Sequence, residues 1–546
     1  MLKVVGASWE QTRLTSILLF IVVVIALVTI LFFEVPITPD DGIYSATAFY
    51  SKKTGFNIKF WGQNNRPHKV NKGIVRAYYK PTTHQTGWAS IEIETQSKYP
   101  DWAQAFGAGL LEGSLSWQLI YSRWMNIIGT KCQNNQKECN SIRAKLRDME
   151  TSVKASARKA DSTDYYWHQV NLYYTQLDGL EEGWKLGVSR SRKQKQLNIL
   201  HEDFLWMNSV EDIKHLEELK YYNIEEFRNS KQYVSLALLK LLPNSTVQFM
   251  LAHESGGPYT EMLRMQKKYT FGYHYTSSNK SQLVPGQTII FTSYPGTIYS
   301  LDDFYQVSGE NALTISGTAM KMSNYSVLEK MDFNKILIGP RVMAACRLSR
   351  GGKDWTELIN REESGTGSKQ WLVVEAKEPL SFWVIEQGPG ITVGSEETEL
   401  LENQGYWLAT GNPYFEKTRS VLGYNDISKT RFGAALDLLK TGLENVSDPS
   451  ELLQLMHKPE LVALGRPDII KYNNEYQEKT FNPSNGGVID LKIAIGNNDY
   501  LATAGPLHSD EVPPFQWSNS ILQYLPHYGQ PDVWKFEPMR PPWVWE

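Results

Sequence analysis

Cysteine is scarce: 546 residues hold 3. A scaffold stapled by many disulfides is therefore excluded, and the fold must rest on its core. Charge of one sign is lacking too. The formal balance is −3 and no Lys/Arg block is long enough to track a phosphate backbone, which argues against nucleic acid as a partner. No Gly-x-x-x-x-Gly-Lys-Ser/Thr occurs, and Thr366-Gly367-Ser368-Lys369 is only a fragment of such a loop. No Gly-x-Ser-x-Gly occurs either. The 10 His are scattered without a close pair at metal spacing, so no zinc site and no other cofactor is expected. Internal repeats and low-complexity linkers are missing as well.

What is there begins with apolar bulk. Hydrophobic residues make up 41% of the chain, enough for a sizeable core in one large α/β unit or in several domains. One run, Leu14 to Phe33, has no charged residue, and Lys3 and Arg13 precede it. About twenty apolar residues can span a bilayer as a helix, and leading positive charge predicts a lumenal body. Residues 1–34 are thus either a cleaved signal peptide or an uncleaved signal anchor that ties the protein to a membrane. Cys132 and Cys139 bracket a polar loop, a plausible short disulfide in an oxidising compartment. Cys346 stands in the apolar run Val342-Met343-Ala344-Ala345-Cys346 and reads as a buried small hydrophobe. Asn-x-Ser/Thr triplets at Asn244, Asn279, Asn324 and Asn445 become candidate glycan sites behind a secretory signal.

Periodicity divides the body. Ile43 to Tyr50, Gly73 to Tyr79 and Gly87 to Glu94 read as strands. Asp101 to Ile128, Lys145 to Arg158, Asp164 to Leu186 and the more charged Leu197 to Tyr222 read as helices. From Tyr233 strands dominate: Tyr233 to Leu242, Val247 to His253, Thr270 to Thr276, Thr288 to Thr292, Thr297 to Val307, Ala312 to Gly317 and later Val488 to Ile495. Tyr259 to Tyr269 reads as a short amphipathic helix. The organisation is a strand- and helix-rich region, residues 35–234, and a strand-rich region, residues 235–546, forming one compact α+β body.

Several long strings carry a resemblance. Phe291 to Tyr305 contains Ser293-Tyr294-Pro295-Gly296 and Asp302-Asp303-Phe304-Tyr305. Val512-Pro513-Pro514-Phe515-Gln516-Trp517-Ser518 and His527-Tyr528-Gly529-Gln530-Pro531-Asp532 follow near the end. With Tyr99-Pro100-Asp101-Trp102, Gln370-Trp371 and Glu386-Gln387-Gly388-Pro389-Gly390, they resemble the phospholipase B-like family over nearly all of the body. The opening Met1 to Trp9 is similar to that family's lamina ancestor branch.

The resemblance implies an N-terminal-nucleophile hydrolase fold, a layered αββα body with two stacked antiparallel sheets. It also implies a chain that cuts itself before its nucleophile. That position falls on Ser235, where the family has cysteine, so the bond to cut is Val234–Ser235, with 35–234 as the pro-fragment. A serine hydroxyl is a poor nucleophile without a base, and freeing its own α-amine places one on the same residue. His253 matches the family's Ala-His and would position nucleophile or substrate. Ser368, Asp302 and Asp303 are candidates for oxyanion support or positioning. Beyond that serine, the sequence departs from the family at two further places. Ala-His-Asn-Thr-Trp is here Ala252-His253-Glu254-Ser255-Gly256, and Asn-Asn before Gln-Trp is Ser368-Lys369. The expected activity is hydrolysis of an acyl ester, phospholipid by the family's name, or of an acyl amide. One alternative is a catalytically degenerate relative with a binding or developmental role. The other is a conventional serine lipase using Ser255, because His253-Glu254-Ser255-Gly256-Gly257 is a nucleophile elbow with its first glycine replaced. The secretory pathway, ending in a lysosomal lumen or outside the cell, is the expected location. Oligomeric state is left open.

Overall fold

The computed structural model describes residues 15–24, 42–62, 66–191, 197–214, 235–242, 248–278, 280–320, 322–424, 433–469, 486–496 and 499–545. It separates into a short unit, residues 1–41, and a body, residues 42–546. In the short unit residues 15–24 are helical. Among the described residues no helix is long and apolar enough to cross a membrane. Leu14 and residues 25–33 of the apolar run lie outside them.

The body is built on two stacked sheets. The larger has 11 strands in the order β13-β12-β11-β10-β9-β8-β7-β4-β3-β1-β2. These are β1 Tyr44–Ser51, β2 Gly55–Phe60, β3 Val75–Lys80, β4 Trp88–Thr95, β7 Arg264–Thr270, β8 Thr288–Ser293, β9 Phe304–Ser308, β10 Leu313–Ala319, β11 Lys369–Glu375, β12 Ser381–Gly388 and β13 Ile391–Glu396. The smaller has 5 strands in the order β14-β5-β6-β15-β16. These are β5 Leu236–Leu241, β6 Phe249–Gly257, β14 Tyr406–Ala409, β15 Gly487–Ile495 and β16 Asp499–Ala504. Pairing is antiparallel in both sheets apart from the parallel β4–β7 pair. The larger sheet thus joins strands from before and after Ser235, so a chain cut there stays hydrogen-bonded together.

Helices cover both outer faces. α1 (Asp101–Trp124), α2 (Gln136–Ala160), α3 (Tyr165–Ser189), α4 (His201–Met207), α5 (Ile338–Leu348) and α6 (Gly352–Asn360) lie with the larger sheet. α7 (Gly433–Glu444), α8 (Pro449–Met456) and α9 (Pro459–Leu464) cover the smaller one. A third apolar cluster fills the space between the sheets, with Trp88, Phe304 and Leu372 meeting Leu239, Leu251 and Tyr500. The layering is αββα.

Local chemistry sets the helices. Asp164 caps α3, its carboxylate accepting the Tyr166 and Trp167 N–H groups at 2.9 and 3.2 Å. α1 and α3 touch backbone to backbone through glycines. A Cβ on Gly109 would fall 1.9 Å from the Gln176 carbonyl oxygen, and one on Gly183 would fall 2.2 Å from that of Leu110. Cys132 and Cys139 are joined by a disulfide with 5.8 Å between Cα atoms. Cys346 is buried without a partner cysteine, and burial pushes its thiol up to about 12, which keeps it unreactive.

Several expected elements do not form as read, and of the expected strand Thr270 to Thr276 only Thr270 belongs to one, as the end of β7. Tyr259 to Tyr269 is not a helix: a single turn at Tyr259–Glu261 leads into β7. Its apolar residues fit helical spacing, yet β7 is clamped between β4 and β8, and ladder pairing on both sides overrides the local pattern. Likewise Thr297 to Val307 is a tight turn before β9, since only Phe304–Ser308 finds a partner strand.

Candidate active site

Ser235 immediately precedes β5 and is half-buried. Its Oγ accepts the Gly256 N–H at 3.4 Å. Val234 lies outside the described residues. On the next rungs Leu236 pairs with Glu254, and Ala237 with His253. Carrying that register one residue back sets Ser235 opposite Ser255. β15 continues the rows on the far side of β6, with Asp490 opposite Ser255 and Lys492 opposite His253. Residues opposite one another share a face of the sheet. Ser235, Ser255, Asp490, His253 and Lys492 therefore all point between the two sheets, with Ala237 and Leu239.

The register depends on an irregularity. A bulge between Val488 and Asp490 lets Val488 join the outer cluster, while Asp490 and Lys492 face inward. There Lys492 Nζ meets the Ser255 Oγ at 2.5 Å and the Asp490 carboxylate at 2.5 Å. Arg264, from the facing sheet, bridges Asp490 at 2.6 Å and pairs with Asp302. Asp302 also accepts hydrogen bonds from Thr292 Oγ1 and the Tyr294 hydroxyl, both at 2.9 Å. All four charged side chains are essentially inaccessible. Burial, with the Arg264 charge behind it, pushes the Lys492 ammonium down to about 8 against the pull of Asp490.

His253 sits beside this layer, fully buried. Its Nε2 lies 3.0 Å from the Gly317 carbonyl oxygen, which can only accept, so Nε2 carries the proton. Nδ1 has no hydrogen-bond partner. Burial and the Lys492 charge hold the imidazole well below its ordinary range, and it stays neutral. Gly317 also donates its N–H to the Asp303 carbonyl at 2.7 Å. A Cβ there would fall 2.7 Å from that of Asp303, so only glycine permits the approach.

Asp303 leads to a second buried cluster. It adopts φ 61, a left-handed conformation unusual outside glycine, and pairs with Lys369. Lys369 also holds Glu211 at 2.7 Å. Burial pushes the Asp303 carboxyl up to about 7 despite Lys369. Ser368 Oγ is buried without a hydrogen-bond partner, and no bond among the described residues joins it to Ser235.

The structure thus gathers Ser235, His253 and Asp302 around one charged layer and links Asp303 to it through Gly317. Ser368 and Lys369 stand in the neighbouring cluster. The nucleophile elbow at Ser255 is absent: His253 to Gly257 continue β6, held extended by β5 and β15 on either side, so the sharp turn such a serine needs does not form. Asp490, Lys492, Arg264 and Glu211 were not singled out from the sequence. Asp490 and Lys492 did leave a trace, two charges at period two in the otherwise apolar run Val488-Ile489-Asp490-Leu491-Lys492-Ile493. Arg264 left none, since it fell in the misread helix. Of the triplet asparagines, Asn445 is exposed, whereas Asn324 uses its amide to hold Val421 O at 3.1 Å and cap a 3-10 turn. Asn244 and Asn279 lie outside the described residues.

Comparison with known proteins supplies the family. A sequence profile of the Phospholipase B family matches residues 75–541. The phospholipase B-like lamina ancestor of Drosophila melanogaster is 31% identical, covering 100% of both chains. Phospholipase B-like 2 of Homo sapiens is 31% identical over 84% of each. Phospholipase B-like protein B of Dictyostelium discoideum is 26% identical over 89% of this chain and 87% of its own. Among solved structures, penicillin V acylase from Agrobacterium tumefaciens aligns with 50% of this chain and 83% of its own, at a TM-score of 0.32 and 10% identity. That overlap is too slight to add to the fold described above. The chain belongs to the phospholipase B family, and at that level it is a hydrolase.

Proposed function

We propose, proceeding from membership of the phospholipase B family, that this chain is an acyl hydrolase whose nucleophile is Ser235, freed by cutting the Val234–Ser235 bond. One observation carries the reading. Ser235 stands at the start of a strand whose inward row runs straight into a buried layer of Ser255, Asp490, Lys492 and His253. Once the bond is cut, the α-amine of Ser235, with a reference pKa of about 8, takes the hydroxyl proton as Oγ attacks the acyl carbon. His253 is a positioning residue: its Nε2–H is committed to Gly317, and its neutral ring fixes the inner row. Acyl esters of phospholipids are the substrate class, with acyl amides second. The engagement of Lys369 by Asp303 and Glu211 favours a second reading, a binding protein that keeps the fold without the chemistry. The disulfide and the apolar run support delivery through the secretory pathway to a lysosomal lumen or the exterior, the run serving as signal or anchor.

The test is expression of the full chain in a secretory host, N-terminal sequencing of its fragments, and fatty acid release from phosphatidylcholine vesicles or an acyl amide. A fragment starting at Ser235, lost in Ser235→Ala together with acyl release, is the expected result. An intact chain that still binds vesicles supports the second reading. A cut elsewhere, indifferent to Ser235→Ala, overturns the first.

A further inference from the structure

A positive bias lies in the first strands of the body. From Gly42 to Ile91 the sequence has 8 Lys and Arg and no Asp or Glu, although the whole chain balances at −3. The ladder gathers part of this charge at one end of the larger sheet. β1 ends at Ser51, β2 begins at Gly55, β3 begins at Val75 and β4 ends at Thr95. Ala48 stands opposite Val75, and Val75 opposite Thr95. The turn between β1 and β2, the loop into β3 and the loop after β4 therefore emerge side by side. They carry Lys52 and Lys53, Lys72, and Lys98, all four exposed. β2 closes the strand order at this edge, and its Lys59 is exposed too.

Aromatic rings stand among these lysines. α1 starts here, directly after the loop that follows β4. Its second residue, Trp102, is 45% exposed, and Tyr50, near the end of β1, is 37% exposed. The two rings meet edge to face at 5.3 Å. Phe56 lies 5.0 Å from Tyr50 and 6.4 Å from Trp102, and Phe106 follows at 4.9 Å from Phe56. The stack thus runs from half-buried phenylalanines out to two rings in water. The carboxylates at this end are already engaged. Glu94 pairs with Arg76 and, at 3.4 Å, with Lys72. Asp101 is buried and held by His168 and His274. Lys52, Lys53 and Lys98 therefore keep their positive field.

We infer that this end of the larger sheet is a docking surface for an anionic lipid bilayer. Lys52, Lys53, Lys72 and Lys98 meet the phosphates and carboxylates of the headgroups, and Tyr50 and Trp102 enter the interfacial layer with their rings. Charge complementarity commits the surface to an anionic partner. The exposed rings choose among such partners. A sulfated polysaccharide would take the lysines but has no apolar layer to receive two rings. A second copy of this chain would bring the same positive charge to the contact, and Lys59 on the edge strand opposes strand addition. The inference uses neither Ser235 nor its cut. It goes beyond the hydrolase reading, since a binding protein with this fold presents the same surface.

The test floats the full-length chain with vesicles of phosphatidylcholine, or of phosphatidylcholine and phosphatidylserine in equal parts, at low and high salt. The apolar run Leu14 to Phe33 is common to every variant, so capture through it falls alike on both vesicle types. The expected binding needs phosphatidylserine and weakens at high salt. Lys52→Gln with Lys53→Gln weakens it by about 30-fold, and Trp102→Ala by about tenfold. Lys137→Gln with Lys440→Gln removes the same charge from exposed positions on α2 and α7 and leaves binding unchanged. A thermal melt checks the fold of each variant. Equal capture of every variant by both vesicle types overturns the surface. So does an equal loss in the Lys137 and Lys440 variant, which would assign the effect to net charge. Retention on heparin that Trp102→Ala leaves intact, without capture by anionic vesicles, gives this end to a polyanionic sugar and overturns the bilayer. Acyl release is read separately. A chain that docks through this end but never cuts before Ser235 keeps the surface and loses the hydrolase. One that cuts and releases acyl chains while ignoring phosphatidylserine keeps the hydrolase and loses the surface.

Discussion

On the outer face of the smaller sheet, Leu236, Leu238, Met250, Ala252, Leu491 and Ile493 pack under α7 to α9. On its inner face the alternate residues of the same strands include the apolar Ala237, Leu239, Phe249, Leu251 and Ala494, and, towards one end, the polar Ser235, His253, Ser255, Asp490 and Lys492. Both faces are buried, so burial does not distinguish them. Cost does. Removing charges from water is expensive, and an apolar row of similar volume would hold the sheets together at least as well. The outer face is what a strand needs to fold. The inner polar stretch is the costlier one, and it is where the candidate site lies.

Four variants probe that contrast. Arg264→Met on the inner side leaves Asp302 and Asp490 buried beside a single cation. It should lower stability by about 4 kcal/mol, read from urea unfolding, and abolish the cut. Leu238→Ala on the outer face opens a cavity under the helices and should cost about 3 kcal/mol, yet the surviving folded protein should cut at the normal rate. If it loses cutting in the folded state, the two faces are not functionally separate.

Lys492 has a pH signature of its own. Its folded value is about 8, below the 10.5 of an unhindered lysine. The unfolded chain therefore binds more protons between those values. The associated stability is present above pH 10.5 and is lost as pH falls through 8. Unfolding free energies should rise by up to about 1.4 kcal/mol per pH unit in that window, relative to Lys492→Met. Parallel curves would place Lys492 in water instead. The smallest change in stability is expected from Asp490→Leu with Lys492→Met. This removes a buried pair together while Arg264 keeps Asp302, so stability should stay within about 1 kcal/mol while cutting is lost. A large loss of stability there would make the charged row part of the folding core after all.

Much of this was legible in the residues. The helices α1 and α3, the strands β4 to β6 and β15, the buried Cys346 and the stacked-sheet plan all follow from periodicity, caps and long shared strings. What was misread has a common cause. The segment Tyr259 to Tyr269 was read as a helix and Ser255 was weighed as an alternative elbow, both from local spacing; Arg264–Thr270 and His253 to Gly257 are strands because neighbours far along the chain pair with them on two sides. Asp302 and Asp303 were recognised as a pair, but their opposite fates were not visible. One joins Arg264, and the other turns through a positive φ to reach Lys369.

The sequence by itself determined the family and the covering helices, and it marked Ser235 as the candidate nucleophile. Local propensity and long matching strings suffice for those. Only the tertiary structure decided which residues stand around Ser235. Its neighbours come from β6 and from β15, whose Ser255 and Lys492 are 237 residues apart along the chain. A one-residue slip in either ladder would have turned Asp490 and Lys492 onto the apolar face, because a strand alternates its side chains. The bulge at Val488 and pairing on both edges of β6 hold that register, and no local run of residues encodes it.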